Sequence, residues 1–352
     1  MMTYALSLPA VRVNNRLNLR EEGDSLREQQ KGRVKVKPAQ NLSTATSRGQ
    51  AGSASASSHV SVLLAETLEF LAVSGKEFVV DGTAGQGGHS FEILKNNPKC
   101  QLLALDADPE AVKIARAKLK EFGDRAEVVE ANFGDLEAVL QKKHISSIDK
   151  ALFDLGWNSG QLASGRGFSF LSDEPLNMSY GTTPASGFTA REALNEWSEE
   201  TLANVFYGYG EERYARRIAR AVVETRKETP IETSLQFVEL IRSATPAAYH
   251  HGRIHFATRS FQGLRMAVND ELGVIDRGIR TAWTHMNSGG RIAVITFHSI
   301  EDRAVKRLFA EFIKDGGGEL VVKKPRGPGK EETAQNPRAR SAKLRVIQKT
   351  SN

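Results

Sequence analysis

The sequence predicts an α/β fold, a mainly parallel sheet covered on both faces and interrupted late in the chain by a helical block. Three observations carry this. First, short apolar runs at 78–81, 101–106, 126–129, 150–155 and 291–297 alternate with amphipathic stretches at 87–95, 109–121, 134–142 and 300–314. That alternation is the pattern of parallel strands joined by crossover helices. Second, a glycine-rich segment separates the first strand from the first helix. Third, the alternation stops over 188–285 and helical periodicity takes its place. There Ala215, Ile218, Ala219, Val222 and Val223 mark one helical face, and Leu235, Val238, Leu240 and Ile241 mark another. After a loop rich in Pro, Gly and Lys, KLRVIQK (343–349) reads as a final strand.

The 352 residues are 40% hydrophobic and 26% charged, near globular averages. The length favours two domains. No run approaches the ~18 uninterrupted apolar residues of a membrane-spanning helix, so no membrane partner is expected. A single cysteine, Cys100, excludes a disulfide framework and a cysteine-based zinc site. The net charge of +6 is uneven. Residues 1–58 hold nine Lys/Arg against four Asp/Glu, and residues 321–352 hold nine against two. The stretch between them is acidic. Basic ends serve as an address, a phosphate-binding arm or a solvated linker.

Residues 1–20 contain no acid, and Arg12, Arg16 and Arg20 recur on one helical side with Leu6, Ala10, Val13 and Leu17 on another. This is the pattern of a mitochondrial or plastid presequence. Pro9 and the Asn14-Asn15 pair weaken that helix, and an extension of a cytoplasmic protein is the alternative. Residues 38–58 are Ser, Ala, Gly, Thr and Gln with little apolar bulk, a flexible linker. The expected division is a presequence and linker over 1–58, a sheet domain over 59–187 and 286–352, and a helical insert over 188–285.

The first strand runs into Asp81-Gly82-Thr83-Ala84-Gly85-Gln86-Gly87-Gly88-His89 and then a helix. Glycines at such a turn let a ligand approach the backbone, and the helix amides face it. The dinucleotide fingerprint G-x-G-x-x-G is not formed. The D-x-x-x-G-x-G form, with an acid ending the strand, suits S-adenosylmethionine, which carries an amino acid moiety and no pyrophosphate. The second strand ends in Asp106, 25 residues after Asp81, where an acid accepts from both ribose hydroxyls of a nucleoside. A helix cap at Pro109 is the plainer reading of Asp106. Phe133, after the third strand, flanks an adenine or belongs to the core. Asp154 ends the fourth strand, at the edge where open α/β sheets do their chemistry.

Long segments now carry a resemblance: DGTAGQGGHS, LDADPEA, FDLGWNS, RGFSF, YGEERYARRIARAVVE, ATRSFQGLRMAVNDEL, GGRIAVITFHSIEDRAVKR and NPRARSAKLR. From His59 to about Lys349, in order and with similar spacing, the chain resembles the RsmH (MraW) family of cytosine-4-amino methyltransferases of small-subunit ribosomal RNA. The resemblance implies a class I, Rossmann-like methyltransferase sheet with a helical insert that helps hold RNA. Its cofactor would be S-adenosylmethionine and its partner small-subunit rRNA or the immature small subunit. The family's cofactor contacts fall on Gly87, Gly88, His89, Asp106, Phe133, Asp154 and Gln161. The organelle branch of the family acts on mitochondrial rRNA, in line with the presequence.

Asp154 is the expected catalytic residue, accepting a hydrogen bond from the cytosine amine as the methyl arrives. Trp157 is a stacking platform for the base or a core aromatic. Ser299 with Asp302 has capping-box spacing and is expected to cap the last long helix. His298 lines the base pocket or is structural. His250, His251 and His255 lack matched carboxylates or cysteines, and no metal is expected. Arg213, Arg216, Arg217, Arg220, Arg259 and Arg265, with Lys323, Lys324, Arg326, Arg338, Arg340, Lys343 and Arg345, are the candidate phosphate contacts. Departures from the family pattern cluster at Trp157, Asn158, Gly160 and Ala163, at Glu174, Asn177, Ser179 and Gly181, and at Phe256. They motivate a second reading, a ribosome assembly factor of weakened or lost activity.

Overall fold

The computed structural model describes residues 61–156 and 159–350. The presequence and linker readings of residues 1–58, and those of Trp157 and Asn158, lie outside the described residues. Seven strands form one sheet: β1 (Phe78–Asp81), β2 (Gln101–Asp106), β3 (Ala126–Glu130), β4 (Ile148–Asp154), β5 (Met286–Thr296), β6 (Gly318–Leu320) and β7 (Lys343–Lys349). Their spatial order is β3-β2-β1-β4-β5-β7-β6. The first five are parallel, and β7 runs antiparallel between β5 and β6. The strand order therefore reverses between β1 and β4, the switch point outside which open sheets bind ligands.

Central strands are covered on both sides and read as nearly continuous apolar runs. Val79 and Val80 of β1 are fully buried, as are Ala151, Leu152 and Phe153 of β4. One face packs Leu103, Phe153 and Val294 under Ile275, Ile279, Val305 and Phe309. The other packs Val79, Leu102, Leu152 and Ile295 under Leu63, Leu71, Ile93 and Leu94.

The helical block divides in two. Helices from Ala190 to Val268 share a core of their own, with Leu194, Phe206, Ile218, Val222, Phe237, Ile241 and Leu264. Phe168, Leu176 and Met178, from the loop before the block, join that core. The helix Glu271–His285 instead buries Ile275, Ile279 and Ala282 against the sheet. Capping boxes start two of the insert helices, Thr189 with Glu192 and Thr233 with Gln236. In the second of these helices, Leu235 is exposed and Phe237 takes the buried place.

One further expectation changes. The last long helix, Ser299–Lys314, is capped by His298 in a box with Glu301, one residue earlier than the Ser299–Asp302 reading. Ser299 donates to Glu211 Oε2 at 3.0 Å instead, and Asp302 pairs with Lys343 and Arg345.

Candidate active site

Three acids end three neighbouring strands at the carboxyl edge. Asp81 on β1 is in register between Ala104 of β2 and Leu152 of β4, so Asp106 and Asp154 stand two residues further out on either side. The chain after β1 turns through Gly85 (φ 52°) and Gly87 (φ 76°), a left-handed region costly for any residue with a Cβ. Gly87 thereby caps the helix Gly88–Asn96. A Cβ on Gly88 would stand 2.1 Å from Ser61 Oγ, so the entering chain lies directly on the turn.

Asp81 is committed to holding this turn. It accepts from Ser90 Oγ at 2.6 Å and from the Thr83 amide at 3.1 Å. Burial pushes its pKa up to about 6 against the pull of those two hydrogen bonds, with nearby Asp106 adding to the rise. Asp106 accepts from the Gly85 amide at 2.8 Å and the Asp108 amide at 2.9 Å, tying the ends of β1 and β2 together. Its pKa is likewise pushed up to about 6, chiefly by burial. Asp108, not Asp106, caps the helix Pro109–Leu119, with Pro109 in the first turn.

Asp154 has a different environment. Its amide donates to Thr83 Oγ1 at 2.6 Å, which fixes the end of β4 to the glycine turn. Its Oδ2 faces His89 Nδ1 at 3.6 Å, and its Oδ1 is buried with no hydrogen-bond partner among the described residues. Burial, then the charges of Asp81 and Glu301, push its pKa well above the usual carboxylate range. A buried unsatisfied acceptor is costly unless something else meets it. His89 is buried, and its Nε2 lies 3.0 Å from the Val62 carbonyl.

Phe133 opens a short turn after β3 and packs on Phe153, the residue before Asp154, with ring centroids 5.3 Å apart. Its ring also sits over Gly278, where a Cβ would come within 2.4 Å. Phe133 is thus part core and part exposed. Gln161 is buried in the short helix Ser159–Leu162 that follows β4. A cavity of about 520 Å³ opens beside the glycine turn, between Gln86, the start of the helix at Pro109 and a wall formed by Gly160, Arg166 and Gly181. Neither Asp106 nor Asp154 lines it. Arg166 closes its edge by pairing with Asp108 at 2.6 Å and donating to the Ser179 and Tyr180 carbonyls.

A buried network beside the site was not legible as such. Arg265 makes a double hydrogen bond to Glu271, at 2.8 and 3.1 Å, and Tyr180 Oη donates to the same carboxylate at 2.9 Å. Arg265 is only 8% exposed, so it is no phosphate contact; its charge is spent inside the protein. Glu301 accepts from the Phe297 amide at 2.9 Å. Burial works to raise the Glu301 pKa, but His298 and Arg265 overcome it and the net shift is downward. Ligand atoms of Glu271, His298 and Glu301 lie within 4.8 Å of one another. Of these, Glu271 is already held by Arg265. His298 Nδ1 accepts the Glu301 amide at 3.4 Å, which leaves the ring proton on Nε2.

Among the basic residues, Arg213, Arg216, Arg217 and Arg220 are exposed on the helix Ala215–Thr225 and its entry. Arg213 stacks on the rings of Tyr214 and Tyr249, at 4.9 and 4.6 Å. Arg220 pairs with Glu199, and Arg259 donates to the Glu211 carbonyl. Lys323, Lys324, Arg338 and Arg340 are exposed, whereas Lys343 and Arg345 are held by Asp302.

Comparison with known proteins follows this architecture along its length. The profile of the MraW methylase family matches residues 56–350. A ribosomal RNA small subunit methyltransferase H from Sulfurihydrogenibium sp. (strain YO3AOP1) is 43% identical over 288 residues, 82% of this chain and 98% of that protein. Proteins of the same name from Symbiobacterium thermophilum and Geobacter sulfurreducens are each 42% identical over 83% of this chain, covering 96% and 99% of their own lengths. A solved rRNA methylase from Streptococcus thermophilus aligns over 84% of this chain at 10% identity and a TM-score of 0.40, and the fold assignment rests on the strand order rather than on that likeness. The family match takes in the glycine turn, the three acidic strand ends, the insert and the antiparallel β7 together, so the chain belongs to the MraW methylase family.

Proposed function

We propose that the protein transfers a methyl group from S-adenosylmethionine to the exocyclic 4-amino group of a cytidine in small-subunit rRNA. The observation that carries this is the Oδ1 of Asp154, buried and without a partner among the described residues, on the carboxyl edge of the sheet beside the glycine turn. The residues fit the cofactor. The turn presents backbone with no side chains at Gly85, Gly87 and Gly88. Asp106 keeps acceptor capacity beyond its two amide bonds, enough for a ribose diol. Gly87, Gly88, His89, Phe133 and Gln161 complete the proposed cofactor set. S-adenosylmethionine supplies an electrophilic sulfonium methyl.

The cytosine amine is a poor nucleophile because its lone pair is delocalised into the ring. Holding it in line is therefore the main task, and alignment contributes ~7–11 kcal/mol in the best intramolecular cases. Asp154 accepts one amine hydrogen and fixes the direction of attack. Positive charge grows on that nitrogen during transfer, so the carboxylate binds the transition state more strongly than the ground state. The methylated amine is acidic enough to release its proton to water. The target base must leave its stack to reach this edge, as is usual for enzymes that act on bases. Exposed arginines of the insert, stacked on Tyr214 and Tyr249, offer phosphate and ring contacts to the flanking RNA.

Labelled methyl transfer to immature small ribosomal subunits, followed by mapping of methylcytidines with and without the protein, tests this reading. Binding of those subunits with no transfer to any of them would assign the protein to assembly instead.

Cofactor binding is expected to weaken in Asp106→Ala by about 1.5–3 kcal/mol, the value of a hydrogen bond to a charged group. It should also weaken as pH falls through about 6, because Asp106 then takes up a proton and loses its acceptor. Calorimetry on the folded variant, and on the wild type at both ends of that range, checks each; unchanged affinity would remove Asp106 from the site.

The acid-free arginine stripe of residues 1–20 supports a mitochondrial location. A fluorescent protein carrying residues 1–40 should concentrate in mitochondria. A diffuse cytosolic signal would count against it.

A further inference from the structure

We infer that His89 is a positioning residue for the reaction, held as an imidazolium that keeps Asp154 ionised as the acceptor of the substrate amine. This rests on the methyl-transfer reading for its purpose, but its geometry stands alone. The Val62 carbonyl can only accept, so the contact at 3.0 Å puts a proton on His89 Nε2. The opposite ring nitrogen, Nδ1, faces Asp154 Oδ2 at 3.6 Å. A second ring proton points that nitrogen's positive charge at the carboxylate, and a small closing movement makes the hydrogen bond.

The surroundings say why such a cation is needed. Asp81, from β1, and Glu301, from the helix after β5, are the charged groups that act on Asp154, and both repel a carboxylate there. Ser90 and the Thr83 amide neutralise nothing, because they bond to Asp81 itself. Arg265 is committed to Glu271, and His298 lies against Glu301. Among the described residues, His89 is the one cation-capable side chain in ion-pair reach of Asp154. With Oδ2 turned to His89, Oδ1 remains for the amine. The entering segment at Ser61–Leu63 thus acts at a distance: it supplies the carbonyl that orients the ring.

The test reads the imidazole directly. With histidine ring nitrogens labelled in the full chain, NMR should show both His89 nitrogens protonated at neutral pH and its titration midpoint above the usual ~6.5. In Asp154→Asn the proton affinity of His89 should drop at least tenfold. An ordinary midpoint in the wild type overturns the inference, whether or not that variant folds. His89→Gln gives the kinetic arm, since its amide still donates to the Val62 carbonyl and carries no charge. Its turnover should need a higher pH than the wild type's, measured at saturating cofactor. An unmoved acid limb would leave His89 a cofactor contact only. Lack of methyl transfer by the wild type would sink the functional reading and leave the nitrogen titration to decide this one.

Discussion

Asp154→Asn is expected to cut turnover on immature small subunits by roughly 10²–10³, the scale of losing one preorganised polar partner of a developing charge. RNA binding should stay close to wild type. The substitution keeps volume and shape and removes the charge, so the Thr83 hydroxyl can still fix the strand end through the backbone. What is lost is an acceptor whose contact strengthens as the amine becomes cationic, and such a loss lowers kcat rather than raising KM. The wild type should also slow as pH falls. Burial, Asp81 and Glu301 favour the protonated carboxyl, and a protonated Asp154 no longer offers its charge to the amine. The measurement is labelled methyl transfer across pH, with RNA binding in parallel. Equal activity of wild type and variant would show that the amine is held by backbone or another side chain.

The parts of this site that the sequence made legible are those set by local spacing. The glycine turn, Asp106 and Asp154 each follow directly from the end of a strand, and strand ends are easy to place when the strand is apolar on both faces. The short edge strand β6 has the sequence GEL and no apolar run, so only its pairing with β7 defines it. The sequence pattern places the cap of the helix at 299 one residue late. Ser-x-x-Asp and His-x-x-Glu overlap there with the same spacing, and Ser is the commoner cap. Periodicity alone places Leu235 on the buried face, whereas the capping box at Thr233 and Gln236 sets the helix phase so that Phe237 points inward.

Arg265 failed as a surface reading for a more instructive reason, and it gives the largest expected stability effect. It lies among Leu264, Met266, Ala267 and Val268, all buried, in a helix with few exposed positions. Its partner Glu271 comes from the next helix, beyond the turn at Asn269 and Asp270, so the pairing is a product of the fold and not of spacing. Truncating one member of a buried, doubly bonded pair leaves the other charge unmet, at a cost of about 3–5 kcal/mol. Arg265→Ala should therefore destabilise the protein by that amount at neutral pH. Tyr180 would remain as a hydrogen-bond donor to Glu271, at 2.9 Å in the intact protein, but carries no compensating charge. Replacing both partners by apolar residues, Arg265→Met with Glu271→Leu, should recover much of the stability, since no charge is then left buried. Denaturant melts of the three proteins separate these terms. A single variant as stable as wild type would mean that water or another cation reaches Glu271 when Arg265 is gone.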